Sequence, residues 1–215
     1  MFIHFYLYLH CKSTYNTKYI FFTMPKLQKS KEKMKALLKA TLCLVNHGGV
    51  QEASMSKVAK MAKVSPATIY LYFENKQDLV NQLYLECKAL FCVYAFNDLE
   101  DGLPVKKSFE KIWYNIAEFK KSKVEEASFL SQCDNTPMID DESRQEGLKH
   151  LQPLVDLWLR GQEEGIIKKI SPYLLYAYTI YPMAFLMNPS TKVHCEMKDE
   201  TMNQAFQAAR ESIKV

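Results

Sequence analysis

From Leu27 onward apolar positions recur every three or four residues, the period of an amphipathic helix, and glycine, proline and serine mark where each run stops. Between Leu27 and about Asn46, Met34, Leu37, Leu38, Thr41, Leu42 and Val45 make one stripe with lysines opposite, and Gly48-Gly49 ends it. Ser54 then offers an N-cap hydroxyl for a helix through Ala62, which turns Met55, Val58, Ala59 and Ala62 inward and Ser56, Lys57, Lys60 and Lys63 outward. Ser65 caps another helix, with Pro66 at the first position, where a missing N–H costs nothing. A longer helix is predicted from about Lys76 to Asn97, before a break at Asp98–Pro104.

The second half carries the same period. Val105 to Lys121 places Phe109, Ile112, Trp113, Ile116 and Phe119 on one side, and a shorter helix from about Val124 to Cys133 ends at Asn135-Thr136-Pro137. One long helix is expected from about Asp140 to Glu164, apolar at Leu148, Leu151, Leu154, Val155, Trp158 and Leu159 and closed by Gly165. Two more run from Pro172 to about Met187 and from Lys198 to Ile213. No strand-like alternation appears, so the fold class is all-α, divided into residues 24–88 and residues 89–215. Residues 1–23, rich in Phe, Tyr, Ile, Leu, Asn and Lys, have neither helical period nor the charged start of a signal peptide. They are expected to precede the true start at Met24; an arm that touches DNA or packs on the body is the competing reading.

Charge makes the two parts unequal. Residues 24–88 hold eleven lysines against five acidic residues, net +6, whereas residues 89–215 hold fifteen Lys and Arg against nineteen acidic residues, net −4. A basic domain facing phosphates fits that split, and so does an ordinary lysine-rich solvated surface. Cys11, Cys43, Cys87, Cys92, Cys133 and Cys195 are scattered without a CxxC pair, so reduced thiols in a cytoplasmic protein are expected rather than a metal site or disulfide framework. No apolar run of eighteen residues is present. His4, His10, His47, His150 and His194 lack carboxylates at catalytic or metal spacing, and no G-x-S-x-G, H-E-x-x-H or glycine-rich phosphate loop occurs. No enzyme activity, metal or cofactor is therefore expected.

Ser54 to Lys76 gives the charge a meaning. Two short helices joined by a tight turn form a helix-turn-helix unit, whose second helix enters the major groove. The Ser54-Met55-Ser56-Lys57-Val58-Ala59 opening, Val64-Ser65-Pro66-Ala67-Thr68-Ile69-Tyr70, Tyr72-Phe73 and Asn75-Lys76-Gln77-Asp78-Leu79 follow Gly48-Gly49 in order. Residues from about 30 to 85 thereby resemble the DNA-binding domain of the tetracycline-repressor (TetR) family of bacterial transcriptional regulators. Lys63 and Ala67 stand where that family usually has glycine, so Lys63 is expected to take a left-handed turn conformation at some steric cost.

Thr68 is positioned to meet a base edge or phosphate, and Pro66 and Ala67 offer apolar contacts to a thymine methyl. By the resemblance, Ser56 reaches a base from the preceding helix. Tyr70, Tyr72 and Lys76 suit phosphates, which fix register without reading sequence, and Ser54 combines its cap with a phosphate contact. The recognition helix lacks Arg, Asn and Gln, so sequence reading leans on apolar contacts and DNA shape.

The resemblance implies that the second domain binds a small ligand and dimerises through its last two long helices, where Tyr176, Ile180, Met183, Met187, Phe206 and Ile213 would form the seam. Trp113, Phe129 and Trp158 are the candidate pocket residues for a flat apolar or cationic ligand, although core packing explains each ring more simply. The resulting expectation is a homodimeric, ligand-responsive repressor on palindromic double-stranded operator DNA. A co-regulator that works mainly through a protein partner is the alternative, and a helical enzyme or carrier the third reading.

Overall fold

The computed structural model describes residues 24–100, 102–188 and 197–215. The expectations for residues 1–23, and those for Cys11, Cys195, His4, His10 and His194, lie outside the described residues. Helices α1 (Met24–Gly48), α2 (Met55–Met61), α3 (Pro66–Ile69) and α4 (Lys76–Ala95) come first, with a 3-10 turn at Val50–Glu52. Then follow α5 (Val105–Ser122), α6 (Val124–Asn135), α7 (Asp141–Lys149), α8 (Gln152–Glu163), α9 (Pro172–Thr179), α10 (Tyr181–Leu186) and α11 (Asp199–Ile213). Among the described residues the only β pairing is an isolated antiparallel bridge between Ile167 and Lys214, so the fold is all-α.

In the N-terminal part the local chemistry closes each helix. Gly49 at φ 75° turns the chain out of α1, with its N–H donating to the Val45 carbonyl. Ser54 accepts from the Lys57 N–H, Ser65 from the Thr68 N–H and Asn75 from the Asp78 N–H. The inward face then packs as its period requires: Leu37, Val45, Val58, Ala59, Ile69, Phe73 and Leu79 are buried together.

Helix α4 joins the two halves. It packs on α1 and also on α5, α6 and α7, most extensively on α5, and it runs unbroken past residues 88 and 89. Phe91 and Tyr94 both meet Phe119 edge-on, with centroids 5.3 and 5.6 Å apart. Close approach of α7 depends on Gly147, where a Cβ would stand 2.5 Å from the Tyr84 ring.

Two expected helices are broken, both at proline. The segment predicted as Asp140–Glu164 becomes α7 and α8, with the break at His150-Leu151 just before Pro153. Proline cannot donate to the carbonyl four residues back and disfavours helical geometry in the residue before it. As a result Leu148 and Leu159 face outward, while Leu154 and Trp158 stay in the core. The segment predicted as Pro172–Met187 bends at Ile180, with Pro182 in the first turn of α10. That bend frees the Thr179 carbonyl, and the indole Nε1 of Trp113 donates to it at 3.1 Å.

Candidate DNA-binding surface and ligand cleft

Three caps orient the candidate DNA surface. The Ser65 hydroxyl holds the Thr68 N–H at 3.2 Å and its side chain contacts the Thr68 hydroxyl at 2.7 Å, so Thr68 is fixed on the first turn of α3. Pro66 and Ala67 lie fully at the surface beside it. On α2, the Ser54 and Ser56 hydroxyls are 3.3 Å apart, and Ser56 is exposed. Tyr70, just after α3, projects into solvent, and its hydroxyl has no partner among the described residues. Tyr72 is half-buried and accepts from the Ser30 hydroxyl of α1 at 3.3 Å, which ties the recognition segment to the first helix. Lys76 begins α4, half-buried, its Nζ 3.5 Å from Gln51 Oε1.

All eight sequence-derived residues therefore share one region, and Lys57, Lys60 and Lys63 are exposed beside them. Lys57 is partly spent on Glu52, at 2.6 Å, an exposed pair of small energetic weight. Lys63 adopts φ 55°, the left-handed turn conformation that its place demands. Sequence reasoning passed over Leu71, an apolar side chain 81% exposed between Tyr70 and Tyr72. Its offset of two from buried Ile69 was the available signal, since i and i+2 cannot share a helical face.

The second domain places its three candidates differently. Trp113, Phe129 and Trp158 are all buried, and none lines either of two surface clefts. Trp113 packs against Phe206 and caps the helix bend, whereas Trp158 Nε1 is buried without a hydrogen-bond partner among the described residues. A cleft of about 330 Å³ lies between α6 and the end of α10, bordered by Lys120, Val124, Ala127, Ser128, Ser131, Gln132 and Met187 among others. A smaller one, of about 140 Å³, lies where Val105, Phe109, Ile167 and Ile213 meet beneath Lys106, Arg210 and Lys214.

Helix α6, which walls the larger cleft, is hydrogen-bonded to the DNA-binding part. Gln132, on its wall, donates to Asn46 of α1 at 2.9 Å, and Asn46 donates to the Glu125 carbonyl at 2.9 Å. A second tie runs from α4, where Gln77 donates to the Met138 carbonyl at 2.8 Å and Asn81 donates to Asp140. These partners are 59 to 86 residues apart, and no local pattern announces them.

The residues expected to form a dimer seam are largely internal. Ile180, Met183, Phe206 and Ile213 are buried within the chain, and Tyr176 and Met187 are partly so. Other side chains of these two helices are exposed instead: Tyr173, Leu174, Tyr178, Tyr181 and Phe185.

An exposed, capped two-helix unit on a helical body defines a helix-turn-helix DNA-binding protein. Comparison with known proteins makes the class specific. Residues 37–83 match the model for bacterial regulatory proteins of the tetR family, and residues 104–214, half of the chain, match the model for the tetracyclin repressor-like C-terminal domain. The chain belongs to the TetR family of transcriptional regulators.

An HTH-type transcriptional regulator of Haemophilus influenzae is 25% identical over 179 residues, covering 83% of this chain and 94% of that protein. A TetR family regulator from Marinobacter aquaeolei VT8 superposes with a TM-score of 0.80 at 22% identity, over 87% of this chain and 98% of its own. FadR of Bacillus subtilis, solved in complex with stearoyl-CoA, has a TM-score of 0.64 at 21% identity, over 82% and 95%. No helix among the described residues is long and apolar enough to cross a membrane.

Proposed function

We propose that the protein is a homodimeric repressor of the cytoplasm that leaves its operator when a small, largely apolar ligand binds the second domain. The carrying observation is that α6 both walls the 330 Å³ cleft and is hydrogen-bonded to α1 through Gln132 and Asn46. A ligand that moves α6 relieves or strains that link, and so favours one spacing of the two recognition helices over another. The fatty-acyl thioester held by the Bacillus subtilis relative supports the idea that this scaffold accommodates apolar ligands.

In this reading, Thr68, Pro66, Ala67 and Ser56 meet base edges, and Ser54, Tyr70, Tyr72 and Lys76 hold phosphates. One α3 of four residues reads too little sequence for a specific site. Two copies related by a two-fold axis, joined through the exposed rings of α9 and α10, would read the halves of a palindrome.

Selection of bound fragments from genomic DNA supplies the operator. Against it, Lys76→Ala should weaken specific and non-specific binding alike and flatten the salt dependence by about one unit. Light scattering of the free protein should report a dimer. Ligand and operator must weaken each other by the same factor; a ligand that binds equally well with and without operator ends the inducible-repressor account.

A further inference from the structure

Two lysines near the packed faces of α4 and α5 are drawn out of water without an ion-pair partner among the described residues. Lys88 of α4 is 5% exposed, and Lys120 of α5 is half-buried on the wall of the larger cleft. No hydrogen bond or ion pair engages the Nζ of either among the described residues. Lys88 rests instead on the faces of Tyr84 and Phe91, 5.5 and 5.9 Å from their centroids. Burial pushes Lys120 down to about 8, Lys88 adds to that shift, and Asp134 opposes it. The same Asp134 faces Tyr84, which burial raises to about 12, and Tyr176, which burial also raises. Removing a cation from water costs several kcal/mol unless an anion replaces the solvent.

The cleft around Lys120 is divided in a way that suits one kind of guest. Val124, Ala127, Ala184 and Met187 give it apolar walls. Most of its polar groups are already committed: Ser131 donates to the Ala127 carbonyl, Thr136 to the Gln132 carbonyl, Asn135 to the Ser131 carbonyl and Gln132 to Asn46. The Lys120 ammonium and the exposed Ser128 hydroxyl remain as donors with no partner among the described residues. At about 330 Å³ the volume lies at the lower end of the range for small-molecule pockets, roughly 300–1,000 Å³.

We propose that this cleft binds an amphipathic monocarboxylate, its carboxylate on Lys120 and Ser128 with Lys88 behind them, and its apolar tail along Val124, Ala127, Ala184 and Met187. The inference rests on the ligand-responsive reading above and gives the ligand a charge. It reverses the expectation of a cationic compound, because the one charged group that lines the cleft is the Lys120 ammonium. An anion bound there would hold Lys120 protonated, so binding near pH 8 should take up protons.

The test titrates the full-length protein at pH 7, by calorimetry, with decanoate, decanol and decylamine. Decanoate should bind at least tenfold more tightly than either neutral or cationic analogue. Lys120→Met should abolish that preference and Lys120→Arg should keep it; at pH 8, heats in buffers of different ionisation enthalpy should reveal proton uptake. Equal binding of decanoate and decanol overturns the proposal, as does a decanoate affinity that Lys120→Met leaves unchanged. The wild-type comparison does not depend on any variant folding. Operator release is scored separately: Lys120-dependent decanoate binding without release upholds the site and removes the inducer role. Release by decylamine, with no decanoate binding, removes the site and leaves an inducible regulator.

Discussion

The DNA-binding part and the second domain are built from the same helical period but solve their polar problems in opposite ways. Between Ser54 and Lys76 the residues that would touch DNA are near neighbours in sequence, their helices are closed by Ser54, Ser65 and Asn75, and their polar groups face water. In the second domain α5, α6, α8 and α11 have no side-chain cap, and the proposed ligand site draws on α4, α5 and α6 together, with Lys88 buried and Lys120 half-buried. A surface that reads a fixed polyanion can be assembled from one short stretch. A pocket needs walls from several directions, and the stability it gives up is recovered when its guest arrives.

The largest test of this contrast is Trp113→Ala. Trp113 is 1% exposed, packs on Phe206 and satisfies the carbonyl freed at the α9–α10 bend, so its loss should cost about 3–5 kcal/mol in urea unfolding. A much smaller loss, with only ligand affinity reduced, would make Trp113 a pocket residue rather than a structural one. Gly147→Ala comes next: the added methyl must displace the Tyr84 ring, and about 1–3 kcal/mol should be lost together with the α4–α7 packing.

Lys120→Met should move stability the other way. The folded-state pKa falls from 10.5 to about 8, so between those values the unfolded chain binds more protons and native stability rises with pH. At pH 7 the variant should be more stable by about 2 kcal/mol, after allowance for the residual exposure of Lys120, and the gap should close by about pH 10.5. Asp134 and Lys88 act on this group in both proteins, so the difference between paired unfolding curves isolates Lys120. A variant less stable at pH 7 would show that Lys120 is a packing residue with no strain to relieve. The smallest effect belongs to the turn: Lys63→Gly should add roughly 0.5–1 kcal/mol by relieving the left-handed backbone at φ 55°, less the entropy that glycine costs. An unchanged melting temperature would show that the two terms cancel.

Ser54, Ser65, Pro66 and Gly49 made the first domain legible, because caps, turns and a 3.6-residue stripe act within a few residues of one another. The same local rules placed α5, with Phe109, Ile112, Trp113, Ile116 and Phe119 all inside the core. They overran at Pro153 and Pro182, where an apolar stripe continues through a backbone that cannot. Which side chains end up covered followed from packing: Met183 and Phe206 are buried within the chain, and Tyr173, Tyr178 and Phe185 are exposed. The sequence by itself therefore determined the helical class, the helix-turn-helix and the polarity of charge, since each is written in neighbouring residues. Only the tertiary structure decided that Lys88 and Lys120 lie together, that Gln132 reaches Asn46, and which aromatic face stays uncovered. Those relations join residues tens of positions apart, and the energy that selects them is burial against other helices rather than any preference of the local chain.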